Sequence, residues 1–404
     1  MEIKVLEKFK ASASDILENN ILSYWINNTQ DNDNGGFYGR ITDNGIVEKD
    51  SPKGLILNSR ILWTFSNAAA KYPGGEYSKI ADRAYNYLMD KFEDKVYGGF
   101  YWMLDSMGNP IDDCKKIYGQ AFTIYGLAEY FNITKNEAVL KKAIELFHKI
   151  EEHNYDKINT GYFEVSYRNW KLANDVRLSE VDMNEQKSMN NHLHIIEAYT
   201  NLYRYWKNPV LKEKIIQLIN NFTDHIINSE TQHLILFFDE LWNRRSKAVS
   251  YGHDIEAAWL LCEAAEVIGD KSLISKIENT AIKISDVILS GAIKEDGNIL
   301  YEIDNNGKLH DYTDWWPQAE AVIGFLNSYQ ITNNEKYLEA SLKCWEFANK
   351  YLVDKIEGEW HYKVLPDKKI DTSVHKVSEW KGPYHNGRAC MEIINRIEKI
   401  IMKK

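Results

Sequence analysis

The sequence predicts an all-α protein, an (α/α)6 toroid of six helix pairs with short hairpins at one end, formed by residues 1–404 as a single domain. Three observations carry this: a turn motif that recurs at intervals of sixty-odd residues, helical periodicity between the copies, and an alternation of two helix types. The motif is glycine followed by aromatic or β-forming residues, preceded by Asp or Asn. It reads Gly35-Gly36-Phe37-Tyr38, Gly98-Gly99-Phe100-Tyr101, Gly161-Tyr162-Phe163-Glu164, Gly297-Asn298-Ile299-Leu300-Tyr301 and Gly358-Glu359-Trp360-His361. The gap between the third and fourth of these is double the others, and a degenerate sixth copy, His233 to Phe238, lies near its middle. A fixed period of this length marks a repeat architecture.

Two kinds of helix alternate between the copies. Ile80 to Phe92 and Val139 to Ile150 place apolar residues three and four apart with charges opposite, as helices buried on one face do. Gly119 to Tyr130, Ile255 to Val267 and Gln318 to Leu326 are apolar or small nearly all round, which only complete burial satisfies. One amphipathic and one buried helix per period give an outer and an inner ring. Only 7 prolines in 404 residues suits long helices, and 44% hydrophobic residues supply the core.

Composition narrows the function. With 49 Lys plus Arg against 59 Asp plus Glu, the net charge is −10, and no long basic run is present to track a phosphate backbone. No nucleic-acid partner is expected. The opening MEIKVLEKFK lacks the apolar core of a secretory signal, and no apolar stretch has the length of a membrane span, so the expectation is a cytoplasmic protein without membrane contact. Cys114, Cys262, Cys344 and Cys390 are widely spaced, as buried thiols of a reducing compartment are. The 12 Trp and 25 Tyr fit an aromatic core or a sugar site, because flat rings stack on the apolar faces of a pyranose.

If the inner helices converge on a cavity, its residues recur near the start of each. The candidates are Arg60, Tyr118 with Gln120, Asn190 with His194, His253 with Glu256, Trp316 with Gln318 and Glu320, and His385 with Arg388. One step is longer than the others, and its extra residues form a polar loop holding Glu180 and Asp182. Asn190 and His194 are four apart, and His253/Glu256 and His385/Arg388 three apart, so each pair shares a helix face. A buried imidazole with a carboxylate neighbour is a proton-transfer group, the part Glu256 is expected to play for His253. His192 and His194 point nearly opposite ways on a helix and do not chelate one ion. No other three-ligand pattern is evident, so no metal and no cofactor are expected. Trp315-Trp316 and Trp380 read as core residues or as platforms for a sugar.

The stretches GLILNSRILWTFSNA, MNNHLHIIEAYTNLYR, GHDIEAAWLL, DWWPQAEAVIGF and EWKGPYHNGRACMEI resemble the cellobiose 2-epimerase family, within the N-acylglucosamine 2-epimerase superfamily, across most of the chain. The resemblance implies cofactor-independent inversion at C2 of the reducing-end glucose of a β-1,4-linked disaccharide, through ring opening and a cis-enediolate. Cellobiose, lactose and mannobiose-type sugars are the implied substrates, and the expected state is a monomer or weak homodimer. It further implies His253 and His385, from neighbouring repeats, as the two bases, with Glu256 orienting His253. Arg60, with Tyr118 and His194, would stabilise charge on O1 and O2. Asp182 and Asn190 would hold hydroxyls, and Trp316 and Trp380 would stack on the two sugar units. The alternatives are an N-acylglucosamine 2-epimerase, a mannose-type aldose-ketose isomerase, or an (α/α)6 glycoside hydrolase. A hydrolase needs two carboxylates flanking the glycosidic oxygen, whereas the inward groups here are mainly His and Arg.

Overall fold

The structure is a computed structural model that describes residues 2–403. In chain order its helices are α1 (Glu2–Asp15), α2 (Ser23–Asn28), α3 (Leu55–Lys71), α4 (Tyr77–Tyr87), α5 (Ile117–Thr134), α6 (Glu137–His153), α7 (Met189–Tyr205), α8 (Pro209–Asn221), α9 (Tyr251–Ile268), α10 (Lys271–Gly291), α11 (Trp315–Thr332), α12 (Glu335–Phe347) and α13 (Tyr384–Lys403). The odd helices α3 to α13 each pack on the next, and α13 returns to α3, closing an inner ring. α4, α6, α8, α10 and α12 each back the inner helix before them, and α1 backs α13, so the two ends of the chain complete the sixth pair. This is the (α/α)6 barrel that the two helix types predict. Among the described residues, no helix is long and apolar enough to cross a membrane.

Each turn motif is closed by one antiparallel bridge, and the six bridges are Gln30↔Phe37, Glu93↔Phe100, Tyr155↔Tyr162, Ile227↔Leu234, Ile293↔Ile299 and Val353↔Trp360. The fourth is the degenerate copy. The bridged aromatic or aliphatic residue is buried in every copy and roots the turn in the core. Gly99 shows why glycine is needed: its φ is +70°, and a Cβ there would lie 2.5 Å from Trp170 and 3.0 Å from Gln120 Oε1.

Two buried devices hold the turns to the inner helices. The fourth position of an inner helix reaches up to the bridged residue: Gln120 Oε1 accepts from Phe100 N at 2.9 Å, His192 Nε2 from Tyr162 N at 2.9 Å, Asp254 Oδ1 from Leu234 N at 2.8 Å and Gln318 Oε1 from Ile299 N at 3.1 Å. Gln120 and Gln318, expected among the polar groups of the cavity, therefore hold turns instead. The second device is a lysine in the short strand before the inner helix, paired with the acid that follows the first bridge residue. Lys53–Asp31 (2.6 Å), Lys115–Asp94 (3.1 Å), Lys187–Asp156 (2.8 Å) and Lys376–Asp354 (2.5 Å) are all buried pairs. Where the acid position is Asn228 the lysine position is Val249, and where it is Lys294 the partner is Thr313. The chain thus never leaves one member of the pair buried alone, which is the costly case.

Short strands knit one repeat to the next. The strand preceding each inner helix pairs with a strand of the following repeat: Lys53↔Leu104, Lys115↔Ser166, Lys187↔Phe238, Val249↔Ile303, Thr313↔Val364 and, closing the circle, Val377↔Ile41. These six small sheets ring the end of the barrel where the inner helices begin.

Candidate active site

Aligning the inner helices at Leu55, Ile117, Met189, Tyr251, Trp315 and Pro383 puts the functional groups in register. Position two carries Tyr118, Asn190 and Trp316, position three carries His253 and His385, and position six carries Arg60, His194, Glu256, Glu320 and Arg388. Positions three and six share a face, whereas position four is turned away from position six by about 200°. All ten expected residues, namely Arg60, Tyr118, Asp182, Asn190, His194, His253, Glu256, Trp316, Trp380 and His385, line one pocket of about 200 Å³ at this end. Its wall also includes Ser179, Tyr301, Trp315 and Tyr362, which the sequence reading did not single out as site residues apart from Trp315.

His253 and His385 stand on α9 and α13, which are not neighbours. α11 lies between them and contributes Trp316, whose ring is 4.6 Å from that of His253 and 5.6 Å from that of His385. This corrects the expectation of adjacent repeats. Each of the three site histidines is anchored through Nδ1: His253 by Ser250 Oγ at 2.7 Å, His194 by Glu197 Oε2 at 2.8 Å and His385 by Glu320 Oε1 at 2.7 Å. Glu256 therefore does not orient His253, contrary to expectation. Its Oε1 receives Arg388 Nη2 at 2.6 Å and lies 3.9 Å from His385 Nδ1. The i+3 spacing of His253 and Glu256 shares a face but does not fix which groups bond.

Arg388 is the hub of the floor. It donates to Glu197, to Glu256 and, at 2.8 Å, to Glu320, and its guanidinium lies 4.7 Å over Trp259. Trp259 Nε1 donates to the second oxygen of Glu320 at 3.0 Å. Glu256, Glu320 and His385 offer atoms within 4.8 Å of one another, a closeness that the sequence did not reveal and that suits a cation. Arg388 already supplies one there, bonded to both carboxylates. Arg60 forms a second cationic point: it donates to Tyr118 Oη at 3.0 Å and to the Trp380 carbonyl at 2.6 Å, with Phe122 and Tyr384 rings beneath it at 4.6 and 5.0 Å. Glu197, which no pattern flagged, was visible only as the i+3 partner of His194.

Burial dominates the protonation states. It pushes His253 down to about 3 with help from His194, and takes His385 well below the usual imidazole value, with Arg60 and Arg388 adding to it. Burial also lowers His194, with Glu197 opposing. The three rings are neutral at neutral pH. Burial raises Glu256 far above the usual carboxyl range, with Glu320 adding and Arg388 opposing; it also raises Glu320, again against Arg388. Burial also presses Glu197 upward, but Arg388 and His194 outweigh it and hold the group at about 2. Burial moves the Tyr118 phenol up to about 12. The floor thus combines a permanent cation, one ionised acid and two acids whose hold on a proton burial strengthens.

The rim is set by the loop between the third turn and α7. Asp182 Oδ2 accepts from both Ser179 N and Ser179 Oγ at 2.8 Å, closing a tight loop beside the pocket. Lys116 Nζ holds the Leu178 carbonyl at 3.0 Å. Trp380 packs against Trp102 at 5.8 Å and Tyr118 at 6.3 Å. Asn190 Oδ1 is buried without a hydrogen-bond partner.

A family model described as N-acylglucosamine 2-epimerase (GlcNAc 2-epimerase) matches residues 36–389. The chain belongs to the N-acylglucosamine 2-epimerase family. It is 44% identical over 379 residues to the cellobiose 2-epimerase of Bacteroides fragilis, covering 94% of this chain and 96% of that one. It is 41% identical over 398 residues to the cellobiose 2-epimerase of Dictyoglomus turgidum, covering 98% and 100%. The solved structure of cellobiose 2-epimerase from Bacillus thermoamylovorans B4167 superposes with a TM-score of 0.92 at 37% identity, over 96% of this chain and all of that one. This member of the N-acylglucosamine 2-epimerase family is accordingly a carbohydrate epimerase that acts at C2 of a sugar.

Proposed function

We propose that the protein epimerises C2 of the reducing-end glucose of a β-1,4-linked disaccharide such as cellobiose, without a cofactor. The observation that carries this is the common anchoring of His194, His253 and His385 through Nδ1, which leaves Nε2 of each without a protein partner in the pocket. A neutral imidazole held this way is a base aimed by its own tether. Once the ring has opened to the aldehyde, one histidine takes the C2 proton and a cis-enediolate forms. Arg60, with Tyr118 and His194, stabilises the charge that develops on O1 and O2.

Reprotonation on the other face comes from the second histidine. Where His385 is the donor, its Nε2–H passes to C2 and its Nδ1 takes the proton of Glu320. Glu320 is left as a carboxylate beside Arg388, so the charge appears where a cation waits for it. His253, having only the Ser250 hydroxyl behind it, becomes the imidazolium. Trp316, in contact with both rings, is the plate for the reacting sugar, and Trp380 that for the second unit; Asp182 and Asn190 hold hydroxyls.

The hydrolase alternative is disfavoured because Glu256 and Glu320 are both tied to Arg388 rather than placed on either side of an open gap. Incubation with cellobiose in D₂O tests the reading. It requires glucosyl-mannose with deuterium at C2 and an intact glycosidic bond. Free glucose, or epimer with hydrogen retained at C2, would overturn it.

A further inference from the structure

The barrel has a second axial cavity, at the end where the inner helices finish. It measures about 680 Å³, against about 200 Å³ for the pocket in front. Its wall is written in the repeat. The thirteenth position of the six inner helices reads Asn67, Glu129, Asn201, Glu263, Asn327 and Asn395, and all of these except Asn327 face the cavity. One turn deeper, the ninth position supplies Trp63, Tyr125 and Trp259. Arg388 also reaches this cavity, and its Nε is buried without a hydrogen-bond partner.

We propose that this rear cavity binds a neutral polyhydroxylated molecule of mono- to disaccharide size. The volume lies within the range of small-molecule pockets. Acids and bases are interleaved on its wall: Arg204 pairs with Glu263 at 2.6 Å and Arg396 with Glu392 at 2.8 Å, while Glu129, Glu266, Lys207 and Lys399 line it as well. With both signs mixed around the wall, no single charge gathers there to select an ion. Amide and carboxylate groups beside stacked aromatic rings, Trp63 on Tyr125 at 5.0 Å and 7°, are the chemistry that receives sugar hydroxyls and C–H faces. An occupant would meet Arg388 from behind, the residue whose Nη2 holds both Glu256 and Glu320. The site is independent of what the front pocket binds.

Equilibrium dialysis with radiolabelled cellobiose tests the proposal. Asn67→Trp and, from α13, Asn395→Trp, combined in one variant as well as made singly, each project an indole into the rear cavity to obstruct it, with circular dichroism checking the fold. The obstructed double variant is expected to bind one sugar fewer per chain than the wild type, whatever number the front pocket takes. A folded double variant that binds as many as the wild type, or a wild type that binds none, overturns it. A wild-type crystal soaked in cellobiose gives the same answer without substitution. Sugar density between Trp63 and Trp259 supports the site, and a rear cavity free of sugar beside an occupied front pocket refutes it.

Discussion

Glu320 Oε1 lies 2.7 Å from Nδ1 of His385 and on its other side takes a hydrogen bond from Arg388 at 2.8 Å. One oxygen thus joins a neutral base to a buried cation. In the proposed relay this contact carries the proton. Glu320→Gln keeps the shape and the bond to His385 but cannot give up a proton. Its kcat is expected to fall by roughly 10² to 10⁴, the span of one acid-base group, with KM for cellobiose nearly unchanged. A kcat within a few-fold of the wild type would remove Glu320 from the proton path.

The paired lysines and acids make a stability prediction that the repeats themselves supply. Lys187→Val strands Asp156 without its cation, and breaking a buried pair costs about 3 to 5 kcal/mol. The sister repeat has Val249 opposite Asn228, so adding Asp156→Asn to Lys187→Val is expected to recover most of that loss. Urea unfolding of the two single variants and the double variant measures the coupling. A double variant as unstable as Lys187→Val would mean that Lys187 acts through its bonds to the Thr160 and Glu240 carbonyls, at 2.7 and 2.8 Å, rather than through Asp156.

His192 gives a pH dependence whose sign is fixed by its bonds. Burial lowers it from 6.5 to about 3, and Nε2 must stay unprotonated to accept from Tyr162 N. Between these values the unfolded chain binds the proton and the folded chain does not. Stability contributed by the neutral ring is therefore whole above pH 6.5 and falls as the pH drops, by at most about 1.4 kcal/mol per unit, down to the folded value. Gln120 and Gln318 do the same work in their repeats, so His192→Gln should fold and lose stability less steeply below pH 6.5. Thermal melts from pH 7 to pH 4.5 compare the slopes, and equal slopes would contradict the assignment.

The barrel was legible in the sequence because both its signals are local. Glycine turns recur at a fixed period, and the two helix types differ in how much of their surface is apolar. The cavity residues were legible for the same reason, since a group at a given level of one repeat stands at that level in all. Two things were hidden. Gln120 was grouped with Tyr118 and Gln318 with Trp316 although each is two residues from its neighbour, and that step turns it toward the hairpin. The partner of each imidazole was hidden too, because His253 has Glu256 three residues on yet bonds to Ser250, while His385 reaches across to Glu320 on α11. Side-chain partners between helices depend on the closed ring, which no local pattern encodes.

Gly252 tests the role of Trp316. It lies next to His253 in α9, and a Cβ added there would come within 2.7 Å of two Trp316 ring carbons and 2.8 Å of Pro317 Cβ. No positive φ is involved, so alanine is acceptable to α9 itself and the penalty falls on the Trp316 ring and on Pro317. Gly252→Ala is expected to fold, because the helix gains propensity while the overlap is relieved by the tryptophan moving outward into the pocket and by a small shift of the start of α11 at Pro317. That movement shifts the plate on which both His253 and His385 rest, so kcat/KM should fall by at least tenfold, with KM taking part of the change. Adding Trp316→Phe, which removes the crowded benzo ring, should restore part of the rate in the Gly252→Ala background while lowering it in the wild type. A normal rate in Gly252→Ala, with the Trp316 ring shown by crystallography to have moved, would mean that the position of this ring does not govern the reaction.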